Sequence, residues 1–291
     1  IRASWGADEL SLYGRFDFIL AKDGTPKILE FNADTPTSLL EASVIQWQWK
    51  EDVFPECDQF NGIHEGLVQS WKDIFPKKGE IHFAGALENN EDTGTLQYLA
   101  STAMEVGFST RVLDMQALDL QNGRFFDPAG ELVNRCFKLY PWEWMVDESP
   151  DGCLAEMEWL EPIWKLVMSN KAILATLYEL FPDSPYVLPC YLSRPRSGLF
   201  CKKPVFSREG HNVSVVDIRD WEEYVRIAET EGDYNTGAYV YQEYVEPTAY
   251  SGRYPVIGSW IIGGEAAGIG IRENRMEVTD NLSEFVPHII G

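Results

Sequence analysis

The chain has 291 residues, of which 45% are apolar and 24% charged, and its formal net charge is −22. This content is typical of a globular chain with a substantial core, and no window approaches the ~20 uncharged apolar residues that a membrane span needs. So negative a charge argues against nucleic acid as a partner, because its phosphates would be repelled, and is compatible with a cationic small substrate such as an amine.

The cysteines are scattered along the chain, and no two of them have the spacing of a metal-binding pair: Cys57, Cys136, Cys153, Cys190 and Cys201. This pattern favours a reducing compartment, so we expect a cytoplasmic protein. The chain begins at Ile1 without an initiator methionine, and its first residues already have the pattern of structured protein. We interpret it as lacking an N-terminal part, which leaves a targeting peptide open.

Two short segments near the start, residues 13–18 and 27–32, alternate apolar with polar residues, as half-buried strands do. Residues 22–26, Lys-Asp-Gly-Thr-Pro, supply a turn between them, so we predict a β-hairpin. Side chains two apart on a strand share a face. Arg15 and Asp17 therefore project together, as do Glu30 and Asn32, and strand pairing puts all four on one surface.

These side chains have the chemistry of a metal and phosphate site. Asp17, Glu30 and Asn32 offer two carboxylates and an amide oxygen, an all-oxygen set that suits Mg²⁺. Arg15 can hold a phosphate or a carboxylate through two hydrogen bonds. Taken alone, the hairpin is equally compatible with a solvated cross-strand ion pair. A glycosidase could use Asp17 and Glu30 as an acid/base pair, but the neighbouring Arg15 and Asn32 favour a metal–phosphate complex.

The next part of the chain has the pattern of alternating helices and strands. We predict helices over residues 39–50, 61–74 and 93–106, and strands over residues 81–87 and 109–113. The last strand–helix–strand succession is a βαβ unit of Rossmann-like character. An acidic loop, residues 88–92, follows its first strand, where the ligands of open α/β sheets gather.

The second half of the chain continues this mixture. We predict helices over residues 170–181 and 221–229, and strands over residues 201–205, 214–217, 239–245, 254–262 and 266–271.

Two lysines of this half are candidate phosphate ligands. Lys203 ends a predicted strand, and Gly210 lies in the loop that follows, where backbone N–H groups and a lysine can hold a phosphate. An exposed Lys202–Lys203 pair and a surface turn explain the same residues. Lys171 opens an apolar helix, where a positive charge opposes the helix dipole unless an anion lies nearby. A solvent-facing lysine is the alternative there.

Two further segments could contact a nucleotide. The strand over residues 239–245 has Gln242 and Glu243 in its middle, and its main-chain edge could contact an adenine, with Glu243 near a ribose. An ordinary sheet strand explains it equally well. Arg272 follows two small residues that permit close approach, and it could clamp a transferring phosphoryl group or simply lie on the surface.

Together, six segments in this order resemble the synthetase part of glutathionylspermidine synthase and its stand-alone bacterial relatives, the acid–amine ligases with an ATP-grasp fold. The segments are residues 13–17, 29–38, 137–144, 160–164 with 170–174, 203–204 with 208–212, and 268–272. The resemblance covers nearly the whole chain. It implies a mixed α/β (α+β) fold in which residues 1–76 and 139–291 form the ATP-grasp unit, with a lid near 171–217, and residues 77–138 form a Rossmann-like pre-ATP-grasp layer.

The resemblance also implies roles for individual residues. The implied Mg²⁺ ligands are Asp17, Glu30 and Asn32, and the implied ATP-binding residues are Arg15, Asp17, Lys171, Lys203, Gly210, Gln242, Glu243, Tyr244 and Val245. The implied catalytic residues are Arg15, beside the phosphates and the reacting carboxylate, and Arg272, a mobile arginine. The implied substrate residues are Thr35 and Thr37 for a peptide acid, and Glu91, Asp92 and Glu284 for a polyamine. A solvated loop before a helix explains Glu91 and Asp92 equally well.

The implied activity is an ATP- and Mg²⁺-dependent, ADP-forming ligation of a carboxylate to an amine through an acyl phosphate. Threonines at positions 35 and 37 replace serines, and Leu139 occupies a position that bears a hydroxyl in the authentic synthase, so glutathione and spermidine as substrates stay open. One alternative is a ligase that joins an amino acid or a peptide. Another is a catalytically silent, nucleotide-binding regulatory protein.

Overall fold

A computed structural model of the chain describes residues 1–208, 210–220, 224–232, 234, 237–275 and 283–291. The strands are β1 (Tyr13–Leu20), β2 (Pro26–Asn32), β3 (Glu80–Gly85), β4 (Ser109–Asp114), β5 (Asp119–Gln121), β6 (Arg124–Phe126), β7 (Leu132–Val133), β8 (Arg135–Leu139), β9 (Glu158–Leu160), β10 (Cys190–Tyr191), β11 (Gly198–Pro204), β12 (Ser214–Ile218), β13 (Tyr224–Glu229), β14 (Tyr239–Glu243), β15 (Tyr254–Ile262), β16 (Glu265–Asn274) and β17 (Glu284–Val286). The α-helices are α1 (Arg2–Gly6), α2 (Gln46–Val53), α3 (Ile63–Ile74), α4 (Asn90–Glu105), α5 (Trp142–Glu148), α6 (Lys165–Met168) and α7 (Ile173–Leu180). Short 3₁₀ turns lie at Met115–Ala117 and Gly152–Leu154, and a π-helical segment at Glu41–Ile45.

The predicted hairpin forms one side of a five-stranded antiparallel sheet, the hairpin sheet, with strand order β17-β16-β15-β1-β2. Arg15 lies opposite Asn32, and Asp17 lies opposite Glu30. The turn between the strands contains Gly24 at φ +82°, a conformation that glycine adopts without steric cost. The hairpin prediction is confirmed, and so are the strands predicted over residues 254–262 and 266–271, which are β15 and β16 and pair with each other.

A four-stranded parallel sheet with order β4-β3-β8-β9 contains the predicted βαβ unit. Its helix, α4, is capped by Asn89, whose side chain accepts a hydrogen bond from the backbone N–H of Glu91 at 2.9 Å. This confirms the strand–helix–strand prediction. The sheet extends past residue 138, because β9 pairs in parallel with β8.

The main core lies where the hairpin sheet, the parallel sheet and helices α3 and α4 meet. Tyr13 of β1 contacts Phe137 of β8 with ring centroids 5.7 Å apart, and it stacks on Trp260 of β15 at 6.1 Å. Trp71 of α3 donates a hydrogen bond to Thr102 of α4 at 2.9 Å, so its indole nitrogen is satisfied although it is buried. Large aromatic side chains shared by two sheets fix how these sheets pack.

A second antiparallel sheet, the lid sheet, has the order β10-β14-β11-β12-β13. The predicted helix over residues 221–229 is wrong where it can be compared: residues 224–229 form β13, paired with β12, and residues 221–223 lie outside the described part. All the side chains of β13 are exposed, so a helix here would have no buried apolar face, and β-branched Val225 and Ile227 favour a strand. The sheet extends to Glu243, beyond the lid limit expected at residue 217.

Two predicted helices differ from the structure in detail. The helix expected over residues 39–50 is present and continues to Val53, but it contains the π-helical segment. The helix expected from residue 170 begins at Ile173, so Lys171 lies in the turn before it. Within the described ranges, no helix combines the length and the apolar character needed to cross a bilayer.

Candidate active site

A cleft of about 450 Å³ lies between the hairpin sheet and the lid sheet. It brings together strands that are far apart in sequence. The predicted site residues that line it are Arg15, Asp17, Glu30, Asn32, Thr35, Thr37, Glu91, Lys171, Lys203, Gly210, Gln242, Glu243, Tyr244, Val245 and Arg272. The lining does not include Asp92 or Glu284, although both are described.

The three predicted metal ligands converge on one side of the cleft. The amide nitrogen of Asn32 donates to Asp17 and to Glu30, each at 3.2 Å. The shared face expected from the hairpin pattern is therefore confirmed. Within the described residues no group of three His, Cys, Asp or Glu side chains could hold a metal. Two carboxylates and an amide fit a hard cation that draws its other ligands from water and phosphates.

Two arginines hold Asp17. Arg15 forms a two-point contact with this carboxylate at 2.6 and 2.9 Å, and Arg272 contacts it at 2.7 Å. Burial alone would lower the pKa of Arg15, but Asp17 outweighs this and raises it. The Arg15 side chain passes over Gly258 of β15. A Cβ at residue 258 would lie 2.7 Å from the Cδ of Arg15. Glycine at this position therefore permits the close approach of the arginine.

Lys171 neutralises the second carboxylate of the set. Its ammonium lies 2.9 Å from Glu30 and donates to the carbonyl of Ser207 at 2.6 Å. Burial would raise the pKa of Glu30, but Lys171 and Lys203 together outweigh burial and lower the pKa to about 2. Glu30 is therefore ionised at neutral pH, as a metal ligand must be.

Lys203 joins the lid sheet to β2. It donates to Gln242 at 2.7 Å and to the carbonyl of Leu29 at 3.1 Å. Gln242 donates in turn to the carbonyl of Ile28 at 2.8 Å. Burial lowers the pKa of Lys203. A lysine held this way beside Gly210 presents its charge to the interior of the cleft.

The loop after β2 lines the opposite part of the cleft with hydroxyl groups. Thr35 accepts a hydrogen bond from Arg208 at 2.6 Å, and the carbonyl of Thr37 accepts one from Arg15. Both threonines are therefore next to arginine side chains. Such a pairing of a hydroxyl with a guanidinium suits the binding of a carboxylate.

The acidic residues predicted to hold an amine are not all in one place. Glu91 lines the cleft, at the start of α4. Glu284 does not, because strand alternation in β17 turns its neighbour Phe285 toward the cleft, and Glu284 pairs with Arg253 at 3.1 Å. The role of Glu284 as a substrate residue stays a prediction.

Sequence reasoning missed several lining residues. Arg208 lies in one of the segments that carry the resemblance, but no role is predicted for it, because its contacts come from segments distant in sequence. The apolar lining residues were also missed, because alternation in a strand does not distinguish a core position from a pocket wall: Ile19, Leu29, Leu188, Val213, Val256 and Phe285. Leu139, at the position where a hydroxyl was expected, belongs to the main core.

Two further ion pairs lie beneath the cleft and are enclosed by protein. Lys138 donates to Asp34 at 2.6 Å, and the second oxygen of Asp34 accepts from the backbone N–H of Trp142 at 2.9 Å. Lys165 lies 3.5 Å from Glu161 and donates to the carbonyls of Tyr13 and Ala33. Burial lowers the pKa of Lys138 and raises that of Glu161. These pairs fix the loop after β2 against its surroundings.

The lining of the cleft carries five cationic side chains and five carboxylates: Arg15, Lys171, Lys203, Arg208 and Arg272, and Asp17, Glu30, Glu41, Glu91 and Glu243. Three of the cations, Arg15, Arg272 and Lys171, contact Asp17 or Glu30 and can exchange that contact for one with an incoming anion. This arrangement suits a multiply charged anion that arrives together with a divalent cation.

Comparison with known proteins gives a match over the whole chain. The family described as glutathionylspermidine synthase preATP-grasp matches residues 1–291. A Haemophilus influenzae protein described as a "Putative acid--amine ligase" is 38% identical over 303 residues, covering 99% of this chain and 77% of that protein.

Longer relatives match with lower identity. Trypanothione synthetase of Crithidia fasciculata is 28% identical over 319 residues, covering 98% of this chain and 48% of that protein. The bifunctional glutathionylspermidine synthetase/amidase of Escherichia coli is 26% identical over 325 residues, covering 100% of this chain and 51% of that protein. The chain thus spans about half the length of these two relatives.

A solved structure shares the fold. It is described as a "Putative gamma-glutamylcysteine synthetase" from Methylobacillus flagellatus, with a TM-score of 0.65, 9% identity, and coverage of 99% of this chain and 82% of that one. At this identity the likeness concerns the fold alone.

Proposed function

The chain belongs to the glutathionylspermidine synthase preATP-grasp family, and on that basis we propose that it is an ATP-dependent ligase that joins a carboxylate to an amine. The finer proposal is an ATP-grasp fold, a requirement for Mg²⁺, and formation of ADP through an acyl phosphate. The observation that carries it is the cleft in which Arg15, Arg272 and Lys171 contact the carboxylates of Asp17 and Glu30, with the Asn32 amide between the two carboxylates.

The nucleotide half of the site follows from these contacts. Asp17, Glu30 and Asn32 would hold Mg²⁺, which neutralises phosphate charge when bound. Lys171, Lys203 and the backbone near Gly210 would hold the phosphates, with Lys171 exchanging Glu30 for a phosphate oxygen. Residues 242–245 would border the adenine, and the apolar wall that includes Leu29 and Val256 would cover its ring faces.

The chemical step needs the reacting groups to be positioned and their charge to be balanced. Arg15 and Arg272 would orient the substrate carboxylate, one oxygen of which attacks the γ-phosphorus while ADP leaves. The amine nitrogen then attacks the acyl carbon, the C–O bond to phosphate breaks, and the amine loses a proton. Thr35 and Thr37 would bind the acid, and Glu91 the amine. We place the enzyme in the cytoplasm, where ATP is available and its free cysteines stay reduced.

The test is ADP release with Mg²⁺ across a panel of peptide acids and amino acids, each combined with polyamines and simpler amines. We expect at least one pair to raise ADP production and to yield an amide product by mass spectrometry. Amino acids working better than peptides would identify the alternative ligase. ATP binding without ADP production for any pair would contradict the ligase proposal and favour a silent nucleotide-binding protein.

A matched pair of variants locates the phosphates. Lys203 lines the cleft, whereas the neighbouring Lys202 lies over the ring of Tyr239 at 3.8 Å. Lys203→Met should weaken ATP binding by roughly tenfold or more, because a charge-assisted contact is lost. Lys202→Met is the control and should bind ATP as the unaltered protein does. Equal affinities in the two variants would remove Lys203 from the site.

A further inference from the structure

Glu143 makes a contact that the proposed reaction does not use. It lies in the first turn of α5 and forms an ion pair with the guanidinium of Arg208. The same guanidinium donates to Thr35 at 2.6 Å and lies over the ring of Trp144, 5.7 Å from its centroid. Arg208 lines the cleft, whereas Glu143 lies behind it and outside the lining.

The support beneath Glu143 is rigid. The backbone N–H of the preceding Trp142 donates to Asp34, which is also bound by the enclosed Lys138. The helix start and the loop after β2 therefore share one anchor, Asp34. Glu143 follows Trp142, and Thr35 follows Asp34 itself. The hydrogen bond between Trp142 and Asp34 therefore fixes the spacing of the two residues that contact Arg208.

Arg208 lies between β11 and β12 of the lid sheet, in the segment that lines the cleft. The carbonyl of Ser207 accepts from Lys171, and the carbonyl of Arg208 accepts from the backbone N–H of His211 at 2.9 Å. Gly210, the proposed phosphate-binding position, lies within the turn that the second of these hydrogen bonds closes. The position of the Arg208 side chain is therefore coupled to that of the backbone beside the phosphates.

Electrostatics explains why a carboxylate is needed at residue 143. Arg208 shares the cleft with Arg15, Lys171, Lys203 and Arg272, and like charges in one cleft repel one another. Asp17 and Glu30 pair with other cations of this group, and within the described residues Arg208 forms its ion pair with Glu143 and not with the lining carboxylates of Glu41, Glu91 or Glu243. The Glu143 carboxylate attracts Arg208 toward α5 and so opposes the repulsion.

We propose that Glu143 is a positioning residue: it holds Arg208 beside Thr35 and thereby keeps Ser207, Arg208, Gly210 and His211, the described residues of this segment, over the acid-binding end of the cleft. Its effect on turnover rests on the proposed ligase function. Its effect on the segment does not, because the contact is present without substrates. A neutral side chain at 143 would release Arg208 and loosen this segment.

The matched variants are Glu143→Gln and Glu148→Gln. Both residues belong to α5, but Glu148 accepts from the Tyr140 hydroxyl at 2.6 Å and lies outside the cleft. Amide hydrogen exchange of the peptide that contains His211, measured on the full chain without ligands, should quicken by roughly tenfold in Glu143→Gln. It should stay unchanged in Glu148→Gln. Unchanged exchange in Glu143→Gln, or equal quickening in both variants, would overturn the proposal.

Kinetics gives a second readout that a purely structural role would not move. Glu143→Gln should raise the KM for the acid by roughly tenfold while the KM for the amine stays the same. In an Arg208→Met background, Glu143→Gln should have no further effect, because its action passes through Arg208. Additive losses would overturn the proposal. If the unaltered protein releases no ADP with any acid–amine pair, the ligase proposal fails, and hydrogen exchange alone decides the role of Glu143.

Discussion

Two groups of ion pairs in this molecule look alike in composition but differ in what surrounds them. In the enclosed group, Lys138 and Asp34 have side chains 0% and 1% exposed, and both also bond to backbone. In the cleft group, Arg272 and Glu30 are 23% and 25% exposed, although their partners Asp17 and Lys171 are only 4% and 8% exposed. Enclosed pairs are out of reach of a ligand, so they hold the structure. Cleft pairs can exchange partners, so they are suited to binding.

The comparison shows why cations and carboxylates that pair with each other are useful in a site before a ligand arrives. In the cleft, Asp17 and Glu30 satisfy Arg15, Arg272 and Lys171, so no charge is buried alone. An incoming anion and cation can replace these contacts one for one. The enclosed pairs are surrounded by protein, so an incoming ligand cannot reach them and they cannot do this.

The largest effect should come from the enclosed group. Lys138→Met leaves Asp34 buried without its cation, which should lower the free energy of unfolding by about 3–5 kcal/mol. Denaturant unfolding measures it. The control is Lys22→Ala, which removes an exposed pair with Glu246 and should cost about 0–1 kcal/mol. Equal losses in the two variants would show that enclosure does not distinguish these pairs.

The pH dependence of stability should sharpen the same contrast. The pKa of Glu30 is lowered from 4.5 to about 2 in the folded protein, so its ionisation stabilises the fold above its ordinary pKa, and this contribution is lost as the pH falls toward 2. Relative to Glu30→Gln, the unaltered protein should therefore lose up to about 3 kcal/mol of stability over that interval.

Glu161 should behave in the opposite sense. Burial raises its pKa, so its ionisation destabilises the folded state, and protonation at falling pH relieves this cost. The free energy of unfolding should be measured against pH for Glu30→Gln, for Glu161→Gln and for the unaltered protein. The two variants should depart from the curve of the unaltered protein in opposite directions. Parallel curves for the two variants would refute the distinction drawn between the groups.

Asn32→Ala should have the smallest effect on stability of these variants but a clear effect on nucleotide binding. Asn32→Ala removes a side chain that lies partly open in the cleft, so stability should change little. Mg²⁺-dependent nucleotide binding should weaken by roughly tenfold, because one proposed ligand is lost. Calorimetric titration with a non-hydrolysable ATP analogue, with and without Mg²⁺, measures this. Unchanged affinity would exclude Asn32 from the metal set.

Much of the candidate site could be predicted because its parts are local in sequence. Arg15, Asp17, Glu30 and Asn32 share a face because alternation in two strands joined by a short turn fixes the pairing. The prediction failed at β13, where an exposed edge strand has no strong periodic pattern of burial. The sequence also gives too little pattern in a three-residue strand such as β17 to fix which of its faces meets the cleft.

The sequence by itself determined the hairpin, the βαβ unit and the family, because each depends on patterns within short segments or on several motifs in order. Tertiary structure alone decided which charges are enclosed and which face the cleft, and it placed Glu143 against Arg208, 65 positions away. The physical reason is that alternation reports which face of an element is apolar, whereas the partner of a charged side chain is set by how separate elements pack.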